Sequence, residues 1–252
     1  MEIFHTNGWW GIFRMAHVIS AVMWMGLLWF FNFVQTPAYA ELDAGARNSA
    51  LDKLTWRALW WFRWAAAATV AFGLLILAIG AMAKDTINQY NSKAFWLHSA
   101  SGPTLLVAIL FGVVMFLNVW LVIWPQQQVV IANARNVLAG GEADPNAAGA
   151  GRAGAMASRQ NTIFSIPVIV FMVGVSHFWG SVDRGPIKTS EAVIFIIIGI
   201  IVLAVLELNS LGRISGRGNS GLNVMYETHR NAIISGTALL VLLYVVAEIV
   251  LR

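Results

Sequence analysis

The chain has 252 residues, of which 58% are hydrophobic and 11% charged, and its formal net charge is +4. Soluble globular domains carry about 25% charged residues, so this balance, with a mean hydropathy of +0.69, excludes a soluble domain and implies an integral membrane protein. The modest positive excess is scattered over membrane-flanking loops, which argues against a nucleic-acid partner. The sequence has no cysteine, which removes disulfides, thiolate ligands and covalent c-type haem attachment.

A spanning helix needs roughly 20 mostly apolar residues. In chain order six segments qualify, at about 9–34, 59–82, 95–124, 160–180, 190–211 and 229–251. The fold expected is an all-α integral membrane protein, a single transmembrane domain over 1–252. It is a bundle of about six transmembrane helices, with room for short interfacial helices. Ala38-Tyr39-Ala40 resembles a signal cleavage site, but the apolar stretch before it exceeds the roughly 7–15 residues of a signal h-region, so it reads as a retained helix. Proline disfavours helix at the preceding residue. The first helix is therefore expected to stop near Thr36-Pro37 and the third at Trp124-Pro125, while Pro167 predicts a kink within the fourth. The Gly/Ala-rich stretch 139–158 reads as a flexible loop. Its Gly149, Gly151 and Gly154 spell G-x-G-x-x-G, but no strand precedes them and no dinucleotide site follows.

Six crossings put both termini on one side. The 35–58, 125–159 and 212–228 loops share the other side and hold Arg47, Lys53, Arg57, Arg135, Arg152, Arg159, Arg213 and Arg217. The opposite side holds Lys84, Lys93, Arg184, Lys188, Arg252 and, near the boundary, Arg14. The positive-inside rule makes the first set cytoplasmic and both termini periplasmic.

This sidedness gathers His17, His98 and His177 toward one outer third of the membrane. A histidine in hydrocarbon is costly unless paired, and is a functional candidate for that reason. Haem b is the cofactor expected, with two of the three imidazoles as iron ligands, and Arg14, Lys93 and Arg184 placed to meet its propionates. Packing against a neighbouring helix is the alternative for each histidine alone. Other polar residues give substrate or pocket candidates. Asn32 and Gln35 lie three apart on one helical face, as interhelical glue or a pocket lining. Arg63, within Trp60-Trp61-Phe62-Arg63-Trp64, suits interfacial anchoring or cation–π contact. Arg159 and Asn161, within Ser158-Arg159-Gln160-Asn161-Thr162, suit a helix cap or an anion site. Glu207 is an intramembrane carboxylate that Arg213 or His229 could neutralise.

Several of these runs together resemble a known family. The run from His17 through Trp24, Gly26, Phe31, Asn32, Phe33 and Gln35 to Pro37 resembles the first helix of the membrane-bound urate oxidase (urate hydroxylase) N-terminal domain family. Ala58-Leu59-Trp60-Trp61-Phe62-Arg63-Trp64 resembles the start of its second helix. Trp124-Pro125-Gln126 and the block from Ala157 through Asn161, Pro167 and His177 resemble later parts. The resemblance implies a bacterial inner-membrane protein of purine breakdown, passing electrons to a c-type cytochrome. Longer members carry a C-terminal cytochrome c domain, which this cysteine-free sequence lacks, so the expected partner is a separate cytochrome c or another membrane redox subunit. Two readings follow: a haem-bearing, urate-linked oxidoreductase, or a non-catalytic membrane subunit of a respiratory or electron-transfer supercomplex. Either admits homo- or hetero-oligomers in the lipid bilayer.

Overall fold

The computed structural model describes residues 6–82, 92–177 and 186–252. All regular structure among these is helical. Six helices are long and apolar enough to cross a membrane: span 1 (Gly8–Glu41), span 2 (Ala44–Ala81), span 3 (Ser101–Leu138), span 4 (Ala147–Gly174), span 5 (Thr189–Ser210) and span 6 (His229–Val250). The chain is a multi-pass helical membrane protein. Large apolar side chains such as Trp24, Leu28, Phe62, Phe111, Phe164 and Phe195 lock the spans together inside. Ile19, Val22, Ile201, Val241 and Ile249 stay exposed, as lipid-facing residues do where tails are as apolar as the side chains.

Spans 5 and 6 have 22 residues each, about 33 Å at 1.5 Å per residue, which matches a hydrocarbon core of about 30 Å. Spans 1, 2 and 3 have 34, 38 and 38 residues, or roughly 51–57 Å. The excess falls on one side, where 35–58 and 125–159 were expected as loops. Those residues are largely helix and form a cap of Thr36–Glu41, Ala44–Ala50, Trp124–Leu138 and the first turns of Ala147–His177. Asp52 binds Lys53 at 2.7 Å and also the Arg135 guanidinium, tying the extensions of spans 2 and 3.

Neither proline stops its helix, and the reason is local. A π-helical turn, Phe30–Gln35, precedes Thr36-Pro37, and another, Asn118–Ile123, precedes Trp124-Pro125. Proline inside an α-helix removes one i→i−4 bond and crowds that carbonyl. The wider turn shifts the ladder, so Thr36 N–H donates to Phe31 O and Trp124 N–H to Val119 O. The Thr36 hydroxyl adds a bond to Phe31 O at 2.8 Å. A third π turn, Leu51–Thr55, leads into Trp56–Met82. Pro167 lies inside Ala147–His177 and does not end it.

The stretch 139–158 is a loop only over 139–146 and helical from Ala147. Alanine is the strongest helix former, and Ala150, Ala153, Met156 and Ala157 are buried. A Cβ on Gly154 would lie 3.1 Å from Gln127 Nε2 and 3.4 Å from Gln126 Cβ, so its missing side chain permits the close approach of span 3. Because span 4 begins at Ala147, 158–162 is helix interior and does not cap a helix start: those backbone N–H groups belong to the helix ladder.

Candidate functional site

A polar cavity of about 80 Å³ opens where the membrane bundle meets the cap. Span 1 contributes Phe31, Asn32, Gln35 and Thr36, span 2 Thr55 and Leu59, span 3 Ile123 and Gln127, and span 4 Gly154, Ala155, Ser158 and Arg159. Each of the three π turns supplies part of this wall. Such turns are rare and recur at functional sites. The polar lining is ordered by its own bonds. Asn32 Nδ2 donates to Ser158 Oγ at 2.8 Å and to Leu28 O at 2.9 Å. Thr55 Oγ1 donates to Gln35 Oε1 at 3.2 Å and contacts Tyr39 OH at 2.9 Å. Arg159 lines the cavity while its NH1 donates to the Tyr226 and Glu227 carbonyls, the latter at 2.8 Å. Two turns away, Arg152 pairs with Glu227 at 2.6 Å. Two arginines of span 4 thus hold the 212–228 segment against the cavity's rim.

Of the five pocket candidates, Asn32, Gln35 and Arg159 meet here, and Asn161 and Arg63 do not. Asn161 is fully buried, donates to Met115 O at 2.9 Å and accepts from Asn118 Nδ2 at 3.0 Å. Arg63 sits against Trp124, Trp120 and Trp64, with its guanidinium carbon 3.8, 4.9 and 5.7 Å from the ring centroids. It makes cation–π contacts among indoles and does not line the cavity. The sequence reading missed Thr55 and Gln127, because both fell in stretches read as loop. Trp124-Pro125 was the available signal, once proline is allowed to follow a π turn.

The three histidines lie toward the opposite end and have three different partners. His17 Nδ1 bonds Thr69 O of span 2 at 2.7 Å, and its ring presses on Gly73, where a Cβ would lie 3.1 Å from Cε1. His98 ends a separate short helix, Lys93–His98, rather than opening span 3, and its Nε2 contacts Thr189 Oγ1 at 3.0 Å. His177 Nδ1 contacts Val173 O of its own helix at 3.0 Å. Among the described residues no group of three or more His, Cys, Asp or Glu could hold a metal ion. His17 and His177 each meet one requirement of a haem ligand: an Nδ1–H given to a carbonyl orients Nε2 for iron. Of the basic residues expected near haem propionates, Arg184 lies outside the described residues, as does Lys84 of the charge count.

The fold and the cavity define a polytopic helical membrane protein with an amide-, hydroxyl- and guanidinium-lined site at one face. A family model described as urate oxidase N-terminal matches residues 76–215, more than half of the chain, and the chain belongs to that family. No curated protein and no solved structure matches it. The matched residues include Trp124-Pro125-Gln126, the 157–162 run and His177, whereas the runs 17–37 and 58–64 lie before the match.

Proposed function

We propose that the chain is the membrane-embedded, substrate-handling part of a cytochrome-linked urate oxidation system. The observation that carries this reading is the convergence of Asn32, Gln35, Thr55, Gln127, Ser158 and Arg159 on one cavity, in a chain of the urate oxidase N-terminal family. Urate is a flat anion whose rim alternates N–H donors and carbonyl acceptors. Carboxamides and hydroxyls can both donate and accept, and a guanidinium adds charge in a planar fork. A cavity of about 80 Å³ holds a few waters, well below the roughly 300 Å³ of typical ligand pockets. A purine therefore enters only if the lining side chains part.

The loop charges support an inner-membrane orientation with periplasmic termini, the cavity facing the cytoplasm and the histidines the periplasm. Haem b would carry single electrons toward a partner cytochrome c or another membrane redox subunit. His17 and His177, each with Nδ1 on a backbone carbonyl, are the described residues that fit as ligands, and His98 is the other candidate for the second imidazole.

Purified chain in nanodiscs should bind urate saturably. Arg159→Gln should weaken that binding about tenfold or more, since a charged hydrogen bond contributes roughly 1.5–3 kcal/mol. Absence of saturable binding by the wild type refutes the reading. A pyridine haemochrome spectrum tests the haem separately, and His17→Ala should remove its band.

A further inference from the structure

Beside the cavity, near the same end of the bundle, a carboxylate lies in the membrane without a counter-charge. Glu207 is in the last turn of span 5 and half-buried. The expected neutralisation by Arg213 or His229 is not found. Among the described residues the ion pairs are Asp52 with Lys53 and Arg135, Arg152 with Glu227, and Lys188 with Glu191. A neutral amide holds Glu207 instead. Its Oε2 accepts from Asn118 Nδ2 at 3.0 Å, and Asn118 also donates to Asn161 Oδ1 at 3.0 Å. The Ser210 hydroxyl donates to the Glu207 backbone carbonyl at 2.9 Å. A carboxylate in apolar surroundings that lacks a cation neutralises itself by taking a proton.

The charged and titratable groups on the elements packed around this end are engaged elsewhere or turned outward. On span 4, Arg159 is bound to the Tyr226 and Glu227 carbonyls and Arg152 to Glu227. On span 3, Arg135 is bound to Asp52 in the cap. His229 and Arg230 of span 6, and Arg213 and Arg217 of the connecting loop, are exposed. Tyr226, in the 3-10 turn Gly221–Tyr226, is the group that faces Glu207; burial pushes its phenol up to about 12.

A line of polar groups continues from here to the extramembrane loop. The Tyr226 hydroxyl donates to Gln160 Oε1, next in sequence to Asn161. Gln160 and Asn209, which both act on this phenol, are fully buried. Gln160 Nε2 and Asn209 Oδ1 have no protein partner. One is a donor and the other an acceptor, the complement that a bridging water satisfies. Asn209 Nδ2 then donates to Asn223 Oδ1 at 3.1 Å. Asn223 Nδ2 in turn reaches the carbonyls of Gly216 and Gly218, at 3.2 and 3.0 Å, in the exposed loop.

We propose that Glu207 is a proton-exchanging carboxylate, loaded from the face of the 212–228 loop along the water-bearing path past Asn223, Asn209, Gln160 and Tyr226. The step is proton transfer alone: hydronium entering by the path gives its proton to the carboxylate, leaving a neutral carboxylic acid and water, and the reverse unloads it. Infrared spectra of the chain in nanodiscs at neutral pH test this. The wild type should show a protonated-carboxyl C=O band that moves down on transfer to D₂O and is lost in Glu207→Gln. Asn223→Leu, at the mouth of the path, should slow the D₂O shift without removing the band. If Glu207→Gln does not fold, Glu207→Asp must displace the band instead. A spectrum unchanged by substitution at Glu207 overturns the protonation, and a band indifferent to D₂O overturns the path.

Discussion

Asn161 joins spans 3, 4 and 5 through a single side chain, bonding Met115 O directly and Glu207 through Asn118. The sequence reading made it a capping or anion-site residue, because the apolar run after it looked like the start of a helix. The alanine-rich turns that precede it are helix as well, so an amide expected at a mouth is enclosed. Asn161→Ala removes one of the two acceptors of Asn118 Nδ2 and one of the donors to the Met115 carbonyl, and should lower stability by about 1–3 kcal/mol, read as the thermal midpoint in detergent. Tyr226 gives a pH test. Burial raises its phenol from 10.0 to about 12, so the folded state holds that proton more tightly than the unfolded state. The contribution is complete below the lower value and is lost as pH rises through the upper one. Wild type should therefore lose stability between about pH 10 and 12, and Tyr226→Phe should flatten that limb while lowering the midpoint at neutral pH.

The six membrane crossings were legible because an apolar run of spanning length needs no tertiary information. Their ends were not, because proline is a reliable stop only when the helix keeps its α register. At Pro37 and Pro125 a preceding π turn changes the register and carries the helix into the cap. The same turns bring Asn32, Gln35, Thr55 and Ile123 to the cavity, so the element that hid the helix ends also builds the site. A π turn equals one residue inserted in an α-helix, and Val34 in the first of them is exposed. Deleting Val34 restores the α register ahead of Pro37, so the last turns of span 1, Thr36–Glu41, should loosen and urate binding should be abolished, while circular dichroism keeps the helical content of the other spans. Retained wild-type affinity in the deletion would separate the π turn from the site.

Over the whole molecule the polar cavity and the histidines occupy opposite ends of the bundle, a separation that the order of crossings already gave. What the crossings could not give was lateral position, which depends on packing. Arg63 therefore turned to indoles and the three histidines to three separate neighbours. With no native cysteine, single-cysteine variants report sidedness cleanly. An impermeant maleimide on intact spheroplasts should label Lys188→Cys and spare Ser215→Cys; the reverse pattern would invert the orientation. The same chemistry locates the substrate. Ala155 lines the cavity, and Lys188 lies at the far end of the bundle. In nanodiscs, where both faces are open, saturating urate should slow maleimide labelling of Ala155→Cys and leave Lys188→Cys unchanged. Equal labelling of Ala155→Cys with and without urate would contradict a urate site in this cavity.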